Sequence, residues 1–582
     1  MTVNTTSDKL LELKLRILNH LEILYPDDNT GTITENIVNC MNFETYIAEV
    51  KYHCNLWDEK DIITITYGDS IINDDELPLT TLHGFLDDYI RGISNIIHIL
   101  PFFPYSSDDG FSIINYSEVN QSLGDWSDIS SIGSHYSLMA DLVINHCSSR
   151  SVWFDNFKQN KHPGADYFIE CDADTDVTKV VRPRTSPLLR KTETLSGTKY
   201  VWCTFSHDQI DLNFKNPDVL IAFIKIIKLY IDYGVRVFRL DAVAFLWKQA
   251  DSSCINLTET HEVIRLLRLI IEHYAPNTII ITETNIPNRE NLSYFGNANE
   301  AHLIYNFSLP PLLLYTMLSG SSRLLKQWMM SMPPAQNGTS YYNFIASHDG
   351  IGLRPVEGIL SDKEISNLTD TIQHFGGEVS WRTISNGDQK PYELNITLLD
   401  AMKGTFEGED QYQIERFVCT HAIMLALEGI PAFYIHSLLA TQNDYKKMDL
   451  SSNKRAINRH NWDYSGLIEI LEDENTINHR IFSNLKNIIS IRKDQKAFHP
   501  NATQFTLHLD ESLFAFWRQS QDRQQSIFCI HNISNKDCSI ALRDINMIEL
   551  DNWRDLISGY KYLDYRETIS LKPYEFVWIT NR

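Results

Sequence analysis

Gly234-Val-Arg-Val-Phe-Arg-Leu-Asp-Ala-Val243 is the stretch whose reading decides the fold. Val235, Val237 and Phe238 give it the β-branched and aromatic character of a buried strand, yet it carries Arg236 and Arg239 and closes on Asp241. Side chains two residues apart on a strand share a face. Arg239 and Asp241 therefore stand together at the C-terminal end, where the guanidinium can hold the carboxylate ionised and fix its rotamer. Such a pair either prepares a nucleophilic carboxylate or closes a strand end structurally, and its neighbours along the chain decide between the two.

Working outward, short apolar runs alternate with helix-like segments. Ile62 to Tyr67, Asn95 to Leu100, Leu138 to Asn145, Val235 to Asp241, Thr278 to Glu283, Leu303 to Phe307, Asn343 to Ser347 and Ala432 to Ile435 read as eight strands. Eight strands separated by helical patterns predict an α/β fold, a (β/α)8 TIM barrel whose active site lies where the strands end. The barrel is expected in three pieces, residues 61–146, 214–349 and 406–496. Two connections are too long for simple crossovers: 147–213 after the third strand, and 350–405 after the seventh. Both are expected to form inserted subdomains that shape a pocket at the barrel mouth. Residues 1–60 read as a helical extension, with Leu10, Leu13, Ile17, Leu18, Leu21 and Leu24 at helical spacing as a packing face. Residues 497–582, with Leu513-Phe-Ala-Phe-Trp517 and Glu575-Phe-Val-Trp-Ile579, read as a small β domain.

The composition is that of a globular chain of 582 residues, 43% hydrophobic and 22% charged. A net charge of -24 argues against nucleic acid or an anionic membrane surface as partner, since both reward a basic face. Nine cysteines without CxxC pairs point to free thiols in a reducing compartment. With no apolar signal core at the N-terminus and no spanning run, the chain is expected to be cytoplasmic. Small molecules are the expected partners, and a homodimer is left open.

The polar residues gather at the strand ends: Asp141, Asn145 and His146 after the third, Arg239 and Asp241 on the fourth, Glu283 on the fifth, His348 and Asp349 after the seventh. Cleaving a glycosidic bond takes one carboxylate at the anomeric carbon and a second that protonates the leaving oxygen. Asp241 and Glu283 fit those roles. They end adjacent strands, about 5 Å apart at the backbone, which suits the short carboxyl spacing of retaining enzymes. Glu283 must then keep its proton near neutrality, and two nearby aspartates would help.

Asp141-Leu-Val-Ile-Asn-His146, Arg239-Leu-Asp-Ala242, Thr282-Glu-Thr-Asn285 and Ser347-His-Asp-Gly350 resemble the four signature segments of the α-amylase superfamily (glycoside hydrolase family 13), in the right order. The resemblance runs from about Asp61 to the C-terminus. It implies that Asp241 is the nucleophile, Glu283 the acid/base and Asp349 the transition-state stabiliser, while His146, Arg239 and His348 hydrogen-bond glucose or position the carboxylates. Asp108-Asp-Gly-Phe111, Gln209-Ile-Asp-Leu212, His348-Asp-Gly-Ile-Gly352, Leu439-Ala-Thr-Gln-Asn-Asp444 and Ile457-Asn-Arg-His460 are similar to the sucrose phosphorylase subfamily. That likeness implies a pocket for one glucose, closed by Asp108, Phe111 and Arg459 and shared by Gln209. It also implies a hexosyltransferase-type phosphorylase, which moves glucose reversibly between a small α-glucoside and inorganic phosphate through a covalent glucosyl-enzyme. The run His348 to Leu360, Gly376-Gly-Glu-Val-Ser-Trp-Arg382, Pro391-Tyr-Glu393 and the N-terminal extension are more similar to the glucosylglycerate phosphorylase branch than to the sucrose branch.

Phosphate must enter a pocket that holds three acidic groups, so a cation has to compensate. Val181-Arg-Pro-Arg184 resembles the basic element that phosphorylases of this family place near the acceptor, which makes Arg182 and Arg184 candidates, with Arg354 a third. Glycerate carries a carboxylate that Arg354 or Arg382 could pair with bidentately, against the alternative that these arginines staple the loop. Asn145 resembles the calcium-binding residue of true amylases, but no dense carboxylate cluster accompanies it, and neither metal nor cofactor is expected. Two other classes stand beside the phosphorylase: a hydrolase on the same scaffold, and an amylase-like interaction module without activity. Intact Asp241, Glu283 and Asp349 speak against the last.

Overall fold

The computed structural model describes residues 6–183, 186–383, 389–545, 552–564 and 566–582. Eight parallel strands close into a barrel: β1 Ile63–Thr66, β2 Ile96–Ile99, β3 Ser137–Val143, β4 Val235–Asp241, β5 Ile279–Thr282, β6 Leu303–Tyr305, β7 Ser340–Phe344 and β8 Ile430–Tyr434. Neighbours in sequence are neighbours in the sheet, and β1 closes on β8. Covered on both faces, these strands read as nearly unbroken apolar runs.

The charges of β4 resolve at once. A bulge against β3 lies between Val235 and Val237, so Arg236 is exposed and returns its guanidinium to the carbonyls of Ile231 and Val235 at 2.9 and 2.8 Å. Arg239 falls in register with Asp141 of β3, and Asp241 with Val143, which brings the polar residues into one layer at the strand ends. Gly234, at φ +101°, makes the turn into β4 in a backbone region that only glycine enters freely.

β7 lies three residues earlier than expected. Ser340 and Tyr342 pair with Leu303 and Tyr305, so the aromatic run Tyr341 to Phe344 forms the strand, and Ser347 and His348 stand in the loop beyond it. β8 likewise starts at Ile430, and Ile435 already belongs to a helical turn, Ile435–Leu438. Asn145 and His146 follow β3, and His146–Ser148 pairs antiparallel with Gln209–Asp211. The long connections carry structure of their own. The first holds a helix, Val152–Gln159, and a three-stranded sheet; the second holds Asp362–His374 and the strands Ile351–Gly352, Glu378–Thr383 and Gln389–Asn395.

At the N-terminus α1, Thr6–Leu24, and α2, Thr30–Cys40, lie against the barrel helices α3, Pro217–Asp232, and α4, Thr258–Tyr274. Leu13, Ile17, Leu21 and Leu24 are buried there. His20 pairs with Glu262 of α4 at 2.7 Å, and the Tyr25 hydroxyl donates to the Phe214 carbonyl at 2.9 Å. A six-stranded antiparallel sheet beginning at Thr503 forms the C-terminal domain.

Candidate active site

A cavity of about 730 Å³ opens at the C-terminal ends of the strands. Asp108, Phe111, His146, Gln209, Arg239, Asp241, Glu283, His348, Asp349 and Arg354, all expected from the sequence, line it together.

Arg239 organises the carboxylates. Its Nη1 donates to Asp141 Oδ1 at 2.5 Å and to Asp241 Oδ1 at 2.7 Å, and its Nη2 lies 3.9 Å from Glu283 Oε1. The guanidinium itself is held between the rings of Phe111 and Tyr305, at 5.6 and 5.4 Å. Asp141 also faces His98 Nε2 at 2.8 Å. Its carboxyl is fully buried, which alone would raise its pKa, but Arg239 and His98 bring it down to about 2. Ala242, just past Asp241, has left-handed backbone at φ +50°, and this turn aims its N–H at Glu283 Oε2, 2.9 Å away. Glu283 is thereby tied to the residue that follows Asp241.

Burial raises the pKa of both Asp241 and Glu283; each also feels negative neighbours, and Arg239 opposes the rise in both. Close acidic groups of this kind resist ionising together. Asp241 accepts the direct hydrogen bond from Arg239, whereas Glu283 has the longer ion pair and the Ala242 N–H, and burial raises the pKa of Asp241 the further of the two. Asp349 is the opposite case. Burial works to raise it, but Arg455, His348, Arg459 and Arg239 hold it well below the usual carboxylate range.

One end of the cavity suits a sugar ring. His348 stacks on Phe111 with centroids 5.2 Å apart and meets the edge of Tyr67 at 5.8 Å. Burial pushes the pKa of His348 down to about 3 and lowers that of His146, so both imidazoles are neutral partners for hydroxyls. His146 Nε2 donates to the Phe111 carbonyl at 2.9 Å, and Gln209 Nε2 to Asp108 Oδ2 at 3.1 Å. Asp108, Asp109 and Gly110 all have positive φ, a strained turn that presents Asp108 to the cavity.

The arginines divide. Arg354 lines the cavity, and its Nε is buried without a hydrogen-bond partner among the described residues. Arg459 does not line it: it lies behind, bonded to Asp109 and to the His348 carbonyl, 3.5 Å from Asp349 Oδ1. Arg182 is exposed and also stands outside the lining, although its neighbour Pro183 reaches it; Arg184 lies outside the described residues. Arg382 is a staple, paired with Glu357 at 2.5 Å.

Two members of the site were missed. Arg455 donates to Asp349 Oδ1 at 2.5 Å and grips Glu393 with Nε and Nη2, both at 2.9 Å; Glu393 Oε1 in turn accepts the Gly350 N–H at 2.5 Å. Neither side chain sits in a signature segment. Asn145 accepts from Lys248 Nζ at 2.6 Å, and the same ammonium pairs with Asp211 at 2.6 Å, so a buried lysine cation occupies the neighbourhood of the residue that resembles a calcium ligand.

Residues 66–352 match the family described as alpha amylase, catalytic domain. The glucosylglycerate phosphorylase of Escherichia coli (strain K12) is 38% identical over 97% of this chain and 100% of its own length. That of Spirochaeta thermophila is 40% identical over 90% of each chain. Among solved structures, the sucrose 6F-phosphate phosphorylase from Thermoanaerobacter thermosaccharolyticum superposes with a TM-score of 0.70 at 25% identity, covering 81% of this chain and 94% of that one.

Proposed function

The chain belongs to the α-amylase family, and on that premise we propose that it is a retaining α-glucosyl phosphorylase whose donor is glucosylglycerate. The observation that carries the reading is likeness along the whole chain, 97% of it, to a protein of that activity, where the sucrose 6F-phosphate phosphorylase structure covers 81%.

The site geometry supports the following mechanism. Ionised Asp241, fixed by Arg239, attacks the anomeric carbon while Glu283 passes its proton to the glycosidic oxygen, and glycerate leaves. Asp349 stands where it can accept hydrogen bonds from the ring hydroxyls as positive charge develops at the anomeric carbon. Phosphate then attacks the glucosyl-enzyme, Glu283 takes up the proton it delivers, and α-glucose 1-phosphate is released with two inversions, hence retention. Glu283 lies close against the neighbour of Asp241 in space, 2.9 Å from the Ala242 N–H, which supports the short carboxyl spacing of roughly 5 Å that this route requires. Arg354 would seat the carboxylate of the leaving glycerate and then the incoming phosphate, so one guanidinium serves both directions of the reaction. The nine free thiols support a reducing, cytoplasmic setting.

The test follows α-glucose 1-phosphate and free glucose from glucosylglycerate and from sucrose, each with and without phosphate. Phosphate-dependent α-glucose 1-phosphate from glucosylglycerate is expected. The same product from sucrose alone would reassign the donor, and free glucose regardless of phosphate would make the protein a hydrolase.

A further inference from the structure

Far from the barrel mouth, two imidazoles and a carboxylate converge. The helical segment after β1 runs as Pro78–Phe85 and then as a single wider turn of π type, Leu86–Ile90. It presents His83 and Asp87, four residues apart on one face. The helix before β3 ends at His135. His83 Nε2 lies 3.2 Å from His135 Nδ1, Asp87 Oδ2 lies 2.9 Å from His135 Nδ1, and His83 Nε2 lies 3.6 Å from Asp87 Oδ2.

These three separations have a definite chemical meaning. Zinc takes imidazole nitrogen at roughly 2.0–2.1 Å and carboxylate oxygen at roughly 2.0–2.2 Å, and tetrahedral angles then place neighbouring donor atoms about 3.3–3.5 Å apart. The edges of the His83, Asp87 and His135 triangle straddle that value without any movement of the backbone. Two nitrogen donors and one oxygen donor are also the set that a borderline divalent cation prefers over calcium or magnesium. The Tyr136 hydroxyl, whose proton is shared between the Leu86 carbonyl at 2.8 Å and Asp87 Oδ1 at 3.3 Å, lies on the far side of the carboxylate as outer support. Oδ1 also lies 3.1 Å from His135 Nδ1, so the carboxylate faces that ring with both oxygens and His83 with Oδ2. One cation competes. Arg91 Nη2 stands 3.5 Å from Asp87 Oδ1 and 3.4 Å from His135 Nδ1, but its side chain is 63% exposed and can swing into solvent.

We propose that His83, Asp87 and His135 form a binding site for zinc or a like divalent cation, completed by water, that ties the first two barrel helices together. The site is structural. His135 lies two residues before β3 begins, and Asp87 in the last helical turn before β2, so the cluster sits at the N-terminal ends of the strands, opposite the catalytic face.

Zinc titrated calorimetrically into chelator-treated protein should show a saturable site whose affinity falls at least tenfold in His83→Ala/His135→Ala. Arg91→Ala should bind zinc more tightly than the wild type, because it removes the competing charge. Zinc should raise the melting temperature of the wild type and not of the double variant, by mass action on the folded state alone, and kcat for phosphorolysis should be the same in all three. Equal zinc binding by the wild type and the double variant would overturn the proposal, as would a wild-type melting temperature that zinc leaves unchanged.

Discussion

Arg455 is the side chain whose loss separates charge from shape at this site. It keeps Asp349 ionised and in place while anchored on Glu393, itself 2% exposed. Arg455→Met preserves most of the volume and removes the cation. A misplaced stabilising carboxylate costs roughly 10²-fold in rate, so kcat/KM at neutral pH should fall by about that factor. The pH profile should also move. Asp349 has a depressed pKa, so in the wild type the acidic limb of kcat/KM belongs to Asp241; without Arg455 the pKa of Asp349 rises toward that limb, which should shift to higher pH once Asp349 shares it. Glu283 has a raised pKa, chiefly through burial, and the limb on which it loses its proton should stay in place. Glu283→Gln tests the proton donor directly. It should lower kcat on glucosylglycerate roughly 10²- to 10⁴-fold and spare much of the first step on α-glucosyl fluoride, whose leaving group needs no proton. Equal loss on both substrates would deny the acid role. Asp241, Glu283 and Asp349 were legible because strand ends carry residues that a buried strand cannot tolerate without a use. Arg455 and Glu393 were not, because an arginine in Asn453-Lys-Arg-Ala456 and a glutamate on a short hairpin strand look like ordinary surface charges until tertiary contact buries them.

At the scale of elements, helices were easier to read than short strands. The spacing of Leu13, Ile17, Leu21 and Leu24 gave the face of α1 that the barrel helices cover, since a four-turn amphipathic pattern repeats itself several times. β7 offered no such repetition: Ser340–Phe344 and the expected Asn343–Ser347 are equally apolar, and only pairing with β6 fixes the register. The inserted subdomains were placed by length alone, and their short strands carry too few residues for periodicity to identify. The extension should matter for stability and not for chemistry. Leu21 is fully buried between α1 and the barrel, so Leu21→Ala should destabilise by about 2–5 kcal/mol. Denaturant unfolding measures the loss, and kcat of the folded variant should be unchanged. A change in kcat with stability intact would mean that the extension communicates with the barrel mouth.

Across the whole molecule, charge opposes the proposed acceptor. The chain carries a net charge of -24, and phosphate must still reach a cavity lined by Asp108, Asp241, Glu283 and Asp349. Two length scales separate repulsion from attraction. At ionic strength near 0.01 M the Debye length is about 30 Å, so an approaching anion feels the whole surface; near 0.15 M it is about 8 Å, and only groups around the cavity count. Of these, Arg354 lines the cavity with its Nε unpartnered among the described residues, while Arg239 and Arg455 are already engaged with carboxylates. Raising the salt should therefore remove long-range repulsion while leaving short-range attraction largely intact. The KM for phosphate should fall between these conditions, as should that for glucosylglycerate, itself an anion, while the KM for neutral α-glucosyl fluoride should stay flat. In Arg354→Ala the KM for phosphate should be higher at every salt concentration but retain the same downward trend, because the surface charge is unaltered. A KM for phosphate that instead climbs with salt in the wild type would mean that local cations, and not the net charge, govern how the anion arrives.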